Sequence, residues 1–162
     1  MKRPPGLAMP TDIESEVLRW LSWRSLTTHE VRQRLLRRGT PLEEIEALIS
    51  HFVASGYLDD RQVAEATVAD ALRRLKGPRY IWARLMQRGI PPAFIEEIMA
   101  DLERQVDWLA IAERLRPRYD RSNVLDPTRW LRHLAREGFP TAVIRHEAEV
   151  GQRSDGNGVE DC

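Results

Sequence analysis

The chain has 162 residues, 42% of them hydrophobic, which is enough for a packed core and excludes wholesale disorder. Its 25 Lys and Arg balance its 25 Asp and Glu, so no global positive charge argues for nucleic-acid binding. The one cysteine, Cys162, excludes an intrachain disulfide or a cysteine-based metal site, and no apolar run approaches the ~18 residues of a membrane span.

Residues 1–10 are rich in Pro and Gly and read as a flexible N-terminus without a secretory signal, which places the chain in the cytoplasm. A helix is expected from about Thr11 to Trp23, as a cap on the helices after it. Thr27-x-x-Glu30 is a capping box that opens a helix burying Val31 and Leu35 and ending at Gly39. Thr40, Pro41 and Glu43 read as a second capping box. The helix they open presents Leu42, Ile45, Leu48, Ile49 and Phe52 on one face and stops near Gly56. Asp59 or Asp60 caps a third helix with Val63, Ala64, Val68, Ala71, Leu72 and Leu75 inward, ended by Gly77-Pro78.

A second set comes next: a helix from Arg79 to Arg88, a turn at Gly89, and a helix opened by Pro91 and Pro92. It closes with a helix around Trp108, Ile111 and Leu115, broken at Pro117. Asp126 and Pro127 open the last set, which turns at Gly138-Phe139-Pro140 and ends at Ala142, Val143 and Ile144. Residues 151–162 read as a disordered polar tail. Trp130 aligns with Val31 and Ile81 and is assigned to the core. Trp20, Trp23 and Trp108 fall on apolar helix faces and are assigned there too. No stretch alternates with period two, so no sheet is expected.

The sets are copies. Gly39, Gly89 and Gly138 each stand in a Gly-x-Pro turn. Each has an apolar residue four before it (Leu35, Leu85, Leu134), another eight before (Val31, Ile81, Trp130) and an isoleucine six after (Ile45, Ile95, Ile144). This predicts an all-α fold of tandem three-helix repeats stacked into a curved, elongated array. The first repeat with its N-terminal helix spans 11–60, the second 61–117 and the third 118–150. No long heptad seam appears, so a monomer is expected.

No catalytic or metal-binding constellation stands out. His29, His51, His133 and His146 are scattered, and the pairs Glu43-Glu44, Asp59-Asp60 and Glu96-Glu97 sit in first helical turns, where the helix dipole favours negative charge. No enzyme, cofactor or metal is expected. Between Ala71 and Ile95, however, there is no Asp or Glu. Arg73, Arg74, Lys76, Arg79, Arg84 and Arg88 stand there, with Tyr80 and Trp82 among them. Guanidinium forks suit phosphate or carboxylate, and aromatic rings can stack on bases. The plain alternative is a solvated face whose charges pair elsewhere, with Trp82 in the core. Arg34 and Arg38 repeat the positions of Arg84 and Arg88, so the candidate binding face includes them.

Gly56-Tyr57-Leu58-Asp59-Asp60, Ala64, Lys76-Gly77-Pro78, Ile81, Leu85 and Arg88-Gly89-Ile90 resemble the RecX family of regulatory proteins. Leu26-Thr27-Thr28-His29-Glu30-Val31 through Arg38-Gly39 resembles the family's opening repeat, and Trp130-Leu131 through Gly138-Phe139 and Ile144 its closing one. The resemblance covers about residues 15–150. Val63 stands where the family usually has an aromatic residue, and a glycine often found before Gly77-Pro78 is missing. The resemblance implies tandem three-helix repeats without catalytic residues. It also implies a modulator that binds the RecA–single-stranded DNA filament and mainly inhibits its recombinase and coprotease activities, within DNA repair, recombination and the SOS response. Gly39, Gly56, Tyr57, Asp59, Asp60, Gly89 and Gly138 are the structural motif residues. The other readings left by the residues are a protein that binds single- or double-stranded nucleic acid without RecA, or a helical adaptor for another protein.

Overall fold

The computed structural model describes residues 12–119 and 126–155, with side chains as far as Gly151. The flexible N-terminus expected at 1–10 and the end of the expected tail, 156–162, lie outside the described residues. All regular structure in the described part is helical. The elements are α1 (Asp12–Trp23), α2 (Thr28–Arg37), α3 (Leu42–Ala54), α4 (Asp60–Arg73), α5 (Pro78–Gln87), α6 (Pro92–Gln105), α7 (Trp108–Tyr119), α8 (Pro127–Arg136) and α9 (Thr141–Asp155).

The turns explain the repeat. Gly39, Gly56, Gly89 and Gly138 all have φ between +73° and +87°, the left-handed region where a β-carbon is costly. At Gly39 the amide donates to the Leu36 carbonyl and the next amide, Thr40, to Leu35; Gly56 and Gly138 end their helices in the same way. Leu75 does this without glycine. Its φ is +57°, its amide donates to Leu72 and that of Lys76 to Ala71. The strain of a left-handed leucine, about 1–2 kcal/mol, is offset by burying its side chain, worth about 1.5–3 kcal/mol, and Leu75 is fully buried.

The chain divides into two compact units. Unit 1 runs to Ala64 and also takes in Arg88–Ile90; unit 2 holds Glu65–Gln87 and continues from Pro91. The core of unit 1 joins Val17 of α1 and Leu26 to Val31 and Leu35 of α2, Ile45, Leu48, Ile49 and Phe52 of α3, and Leu58. In unit 2, α5 packs on α6, and α7, α8 and α9 pack on one another around Ile111, Leu115, Trp130, Leu134 and Phe139. The apolar residues four and eight before each Gly-x-Pro glycine are all buried, because that spacing puts them on one helical stripe.

Several expectations are corrected. Thr40 and Glu43 form no capping box. Pro41 is the N-cap of α3 and its ring has no acceptor for the helix end, while the Thr40 amide that Glu43 would have met is already used in closing α2. Asp59 is the residue that caps α4, accepting from the Gln62 amide; Asp60 instead accepts the amide and hydroxyl of Thr28, each at 2.8 Å. Pro117 lies inside α7, which continues to Tyr119; a proline in the last turn forfeits one backbone hydrogen bond without requiring the helix to stop there. Helix α9 runs through Gly151 to Asp155, past the expected tail boundary. Trp23 is 85% exposed rather than core, because α1 ends at that residue. Asp107, not singled out in the sequence, caps α7 by accepting from Leu109 and Ala110.

The third repeat differs from the others inside. Glu147 stands where the first repeat has Leu48, yet it is only 4% exposed. Its carboxylate accepts from the Trp130 indole N–H at 2.8 Å and from Arg116. A buried charge is tolerated when it is paired and hydrogen-bonded in this way.

Candidate functional site

The candidate cations divide into those used inside the fold and those left to solvent. In unit 1, the Arg88 guanidinium donates to both oxygens of Glu30, at 3.3 and 2.9 Å, and to the Ser25 carbonyl at 2.8 Å. Its side chain is 14% exposed. The turn that carries it sits on the capping box that opens α2. Thr27 accepts from the Glu30 amide, Glu30 reaches back to the Thr27 amide, and the Thr27 hydroxyl donates to the Arg88 carbonyl at 2.7 Å. A β-carbon on Gly89 would lie 2.2 Å from the His29 ring. Arg38 pairs with Glu16 of α1, and Arg34 lies 5.4 Å from the centre of the Trp20 ring. Tyr57 is exposed on one side and meets the Phe52 ring edge-on at 5.8 Å.

Unit 2 repeats this docking with different chemistry. Gly77 occupies the position relative to Gly89 that Thr27 occupies relative to Gly39. Its amide donates to the Glu137 carbonyl at 2.8 Å, and the Arg79 amide donates to Gly138 at 3.0 Å. Lys76 pairs with the Glu137 carboxylate and lies over the Tyr80 ring. In unit 1 the turn carries the cation and the capped helix the anion; in unit 2 the signs are exchanged.

Of the candidates in unit 2, Arg73, Arg74, Arg79 and Arg84 are exposed, and in unit 1 Arg38 is exposed as well, beside Glu16. Arg73 and Arg74 share one carboxylate, Asp70, at 3.3 and 3.5 Å. Arg84 donates to the neutral Gln87. Arg79 has no carboxylate within ion-pair distance among the described residues. Trp82 is 37% exposed and therefore not in the core. Among the described residues no group of three His, Cys, Asp or Glu side chains is placed to hold a metal ion, and no helix is long and apolar enough to cross a membrane.

This arrangement of helices and turns has known counterparts. Residues 15–52 match the model of the first three-helix domain of RecX, and residues 59–99 that of the second. The regulatory protein RecX of Halorhodospira halophila is 31% identical over 150 residues, covering 90% of this chain and 92% of the relative. The chain belongs to the RecX family. The regulatory protein RecX of Thermus thermophilus is 33% identical over 144 residues, covering 89% and 95%. The fold agrees with the crystal structure of RecX from Lactobacillus salivarius, with a TM-score of 0.65 and 23% identity over 83% of this chain and 91% of that one. A second RecX structure gives a TM-score of 0.68 over 83% and 70%.

Within this RecX fold, His133 is expected to make the stability of unit 2 depend on pH. Its ring stacks on Tyr119 at 4.4 Å and lies 6.0 Å from Trp130. Burial pushes its pKa down; Glu137 works against this, while Arg136 and Lys76 add to the lowering, and the net shift is downward. The folded state thus binds the proton less readily than the unfolded chain. Stability from this group is fully present above the ordinary histidine value and is lost as pH falls through it toward the lowered one. Urea unfolding between pH 7 and 5 should show a decline in stability that His133→Phe removes. An equal decline in the variant would assign it to other groups.

Proposed function

We propose that this chain binds the RecA–single-stranded DNA filament and modulates it, mainly by inhibiting recombinase and coprotease activity. Family membership supports the regulatory role, and the curated relatives carry the name regulatory protein. The observation that carries the binding face is the set of four exposed guanidiniums, Arg73, Arg74, Arg79 and Arg84, in a stretch without carboxylates between Ala71 and Ile95. Such a face favours acidic protein surface or phosphate. Arg88 and Lys76 are largely buried in ion pairs with Glu30 and Glu137 and offer less of their charge to a partner, while Arg38 is exposed beside Glu16 in unit 1. No covalent step is needed: a protein that binds one filament state better than another shifts the filament toward it.

The test is RecA's single-stranded-DNA-dependent ATPase, titrated with this protein. The parent should inhibit at a small fraction of the RecA concentration. Arg73→Glu/Arg84→Glu, with an unchanged circular dichroism spectrum, should need on the order of tenfold more protein. Equal inhibition by the folded double variant would remove this face from the reading. No inhibition by the parent at equal concentrations would leave direct nucleic-acid binding. In that case four phosphate contacts give a slope of about −3 for log affinity against log salt.

A further inference from the structure

The exposed cations do not all face the same surroundings. Arg79 lies at the edge of a groove of about 440 Å³ in unit 2, formed with Pro78 and Trp82 of α5, Met99 and Glu103 of α6, and Pro140 before α9. Its apolar lining consists of an indole, a thioether and two proline rings. Arg79 and Glu103, of opposite charge, both line it, and the acid-free run of α5 continues to exposed Arg84. Trp82 and the exposed Met86 lie on one face of α5, extending the apolar strip beyond the groove.

We infer that this groove seats a peptide segment of the protein partner, one with an apolar side chain between a carboxylate and a basic residue. The inference rests on the RecA-filament reading. The apolar side chain fills the space over Trp82 and Met99, where a thioether adapts to varied shapes. The carboxylate meets Arg79, which has no acid of its own among the described residues, and the basic residue meets Glu103. Complementarity at both charges favours a peptide over a nucleic-acid strand, because Glu103 repels a phosphate backbone.

Glu103→Lys separates the two occupants by sign. On the full chain, association with RecA filaments on single-stranded DNA and with oligo(dT) alone would be measured side by side. Glu103→Lys should weaken filament association about threefold, Arg79→Glu about threefold or more, and Trp82→Ala about tenfold. Oligo(dT) affinity should not fall with Trp82→Ala. Circular dichroism controls for folding, and the exposed Met86→Ala, which trims the strip without touching the groove, gives a milder second variant. Tighter binding of filament and oligo(dT) by Glu103→Lys, or parallel losses of both with Trp82→Ala, would make the groove a nucleic-acid site and overturn the inference. Unchanged filament binding by all three groove variants would overturn it while leaving the RecA reading intact. A parent chain that fails to bind filaments would remove that reading and the inference with it.

Discussion

Gly77→Ala should lower the melting temperature by roughly 10 °C, a loss of about 3 kcal/mol, whereas Gly39→Ala should cost roughly 3 °C, or about 1 kcal/mol. The contrast is the point of the experiment. Gly39 has positive φ but open space around it: a β-carbon there would meet nothing within 4 Å. At Gly77 the cost is steric. A β-carbon would lie 2.3 Å from the carbonyl carbon and oxygen of Gly138 and 2.5 Å from the Phe139 nitrogen. These are backbone atoms in a turn held by the Gly77–Glu137 and Arg79–Gly138 hydrogen bonds, so neither side can yield without breaking them. Equal losses for the two variants would mean that the approach of Gly77 to Gly138 is looser in solution.

Arg88→Ala should destabilise the chain by about 2–3 kcal/mol at neutral pH, while the exposed Arg84→Ala should change it by less than about 0.5 kcal/mol. Removing Arg88 leaves Glu30 partly buried with only Arg24 as a cationic partner among the ion pairs found for it, and strips two donors from the turn that docks on α2. The pH dependence sharpens the test. Burial pushes the Glu30 carboxyl up, but hydrogen bonds from Arg88 and the Thr27 amide, with the charges of Arg88 and Arg24, outweigh it and hold the pKa below the usual carboxylate range. A lowered folded-state pKa contributes stability that is present above the ordinary glutamate value and lost as pH falls through the lowered one. Denaturant unfolding should therefore show a wide gap between parent and variant at pH 7 that narrows below about pH 4. A gap constant with pH would assign the loss to packing of the Arg88 stem rather than to the ion pair.

Arg88 and Arg84 also show where inference from the linear chain stops. They lie four residues apart near the end of one helix, and spacing treats them as equivalent. Pairing separates them, because Glu30, the carboxylate that takes Arg88, lies 58 residues away in sequence. Lys76 likewise pairs with a distant carboxylate, Glu137, 61 residues on. One signal was available: Gly77 falls at the repeat position of Thr27, and a residue that opens a helix where another repeat's turn docks is a candidate for close backbone approach. The groove lined by Trp82 had no such signal, since Met99, Glu103 and Pro140 come from separate parts of the chain with nothing local to join them.

The repeat, the helical class, the left-handed turns at the glycines and most of the core were readable from the chain, since each depends on neighbours within a few residues. A glycine at a helix end, a proline after it and an apolar residue every three or four positions act through local backbone sterics and the 3.6-residue turn. The use of each charge and each exposed aromatic depended on the fold. Whether an arginine closes an internal pair or faces a partner, whether Glu147 is buried, and whether Trp82 and Trp23 reach solvent are settled by groups far apart in sequence. Desolvation and ion pairing depend on those neighbours, and the periodicity of a single helix does not contain them.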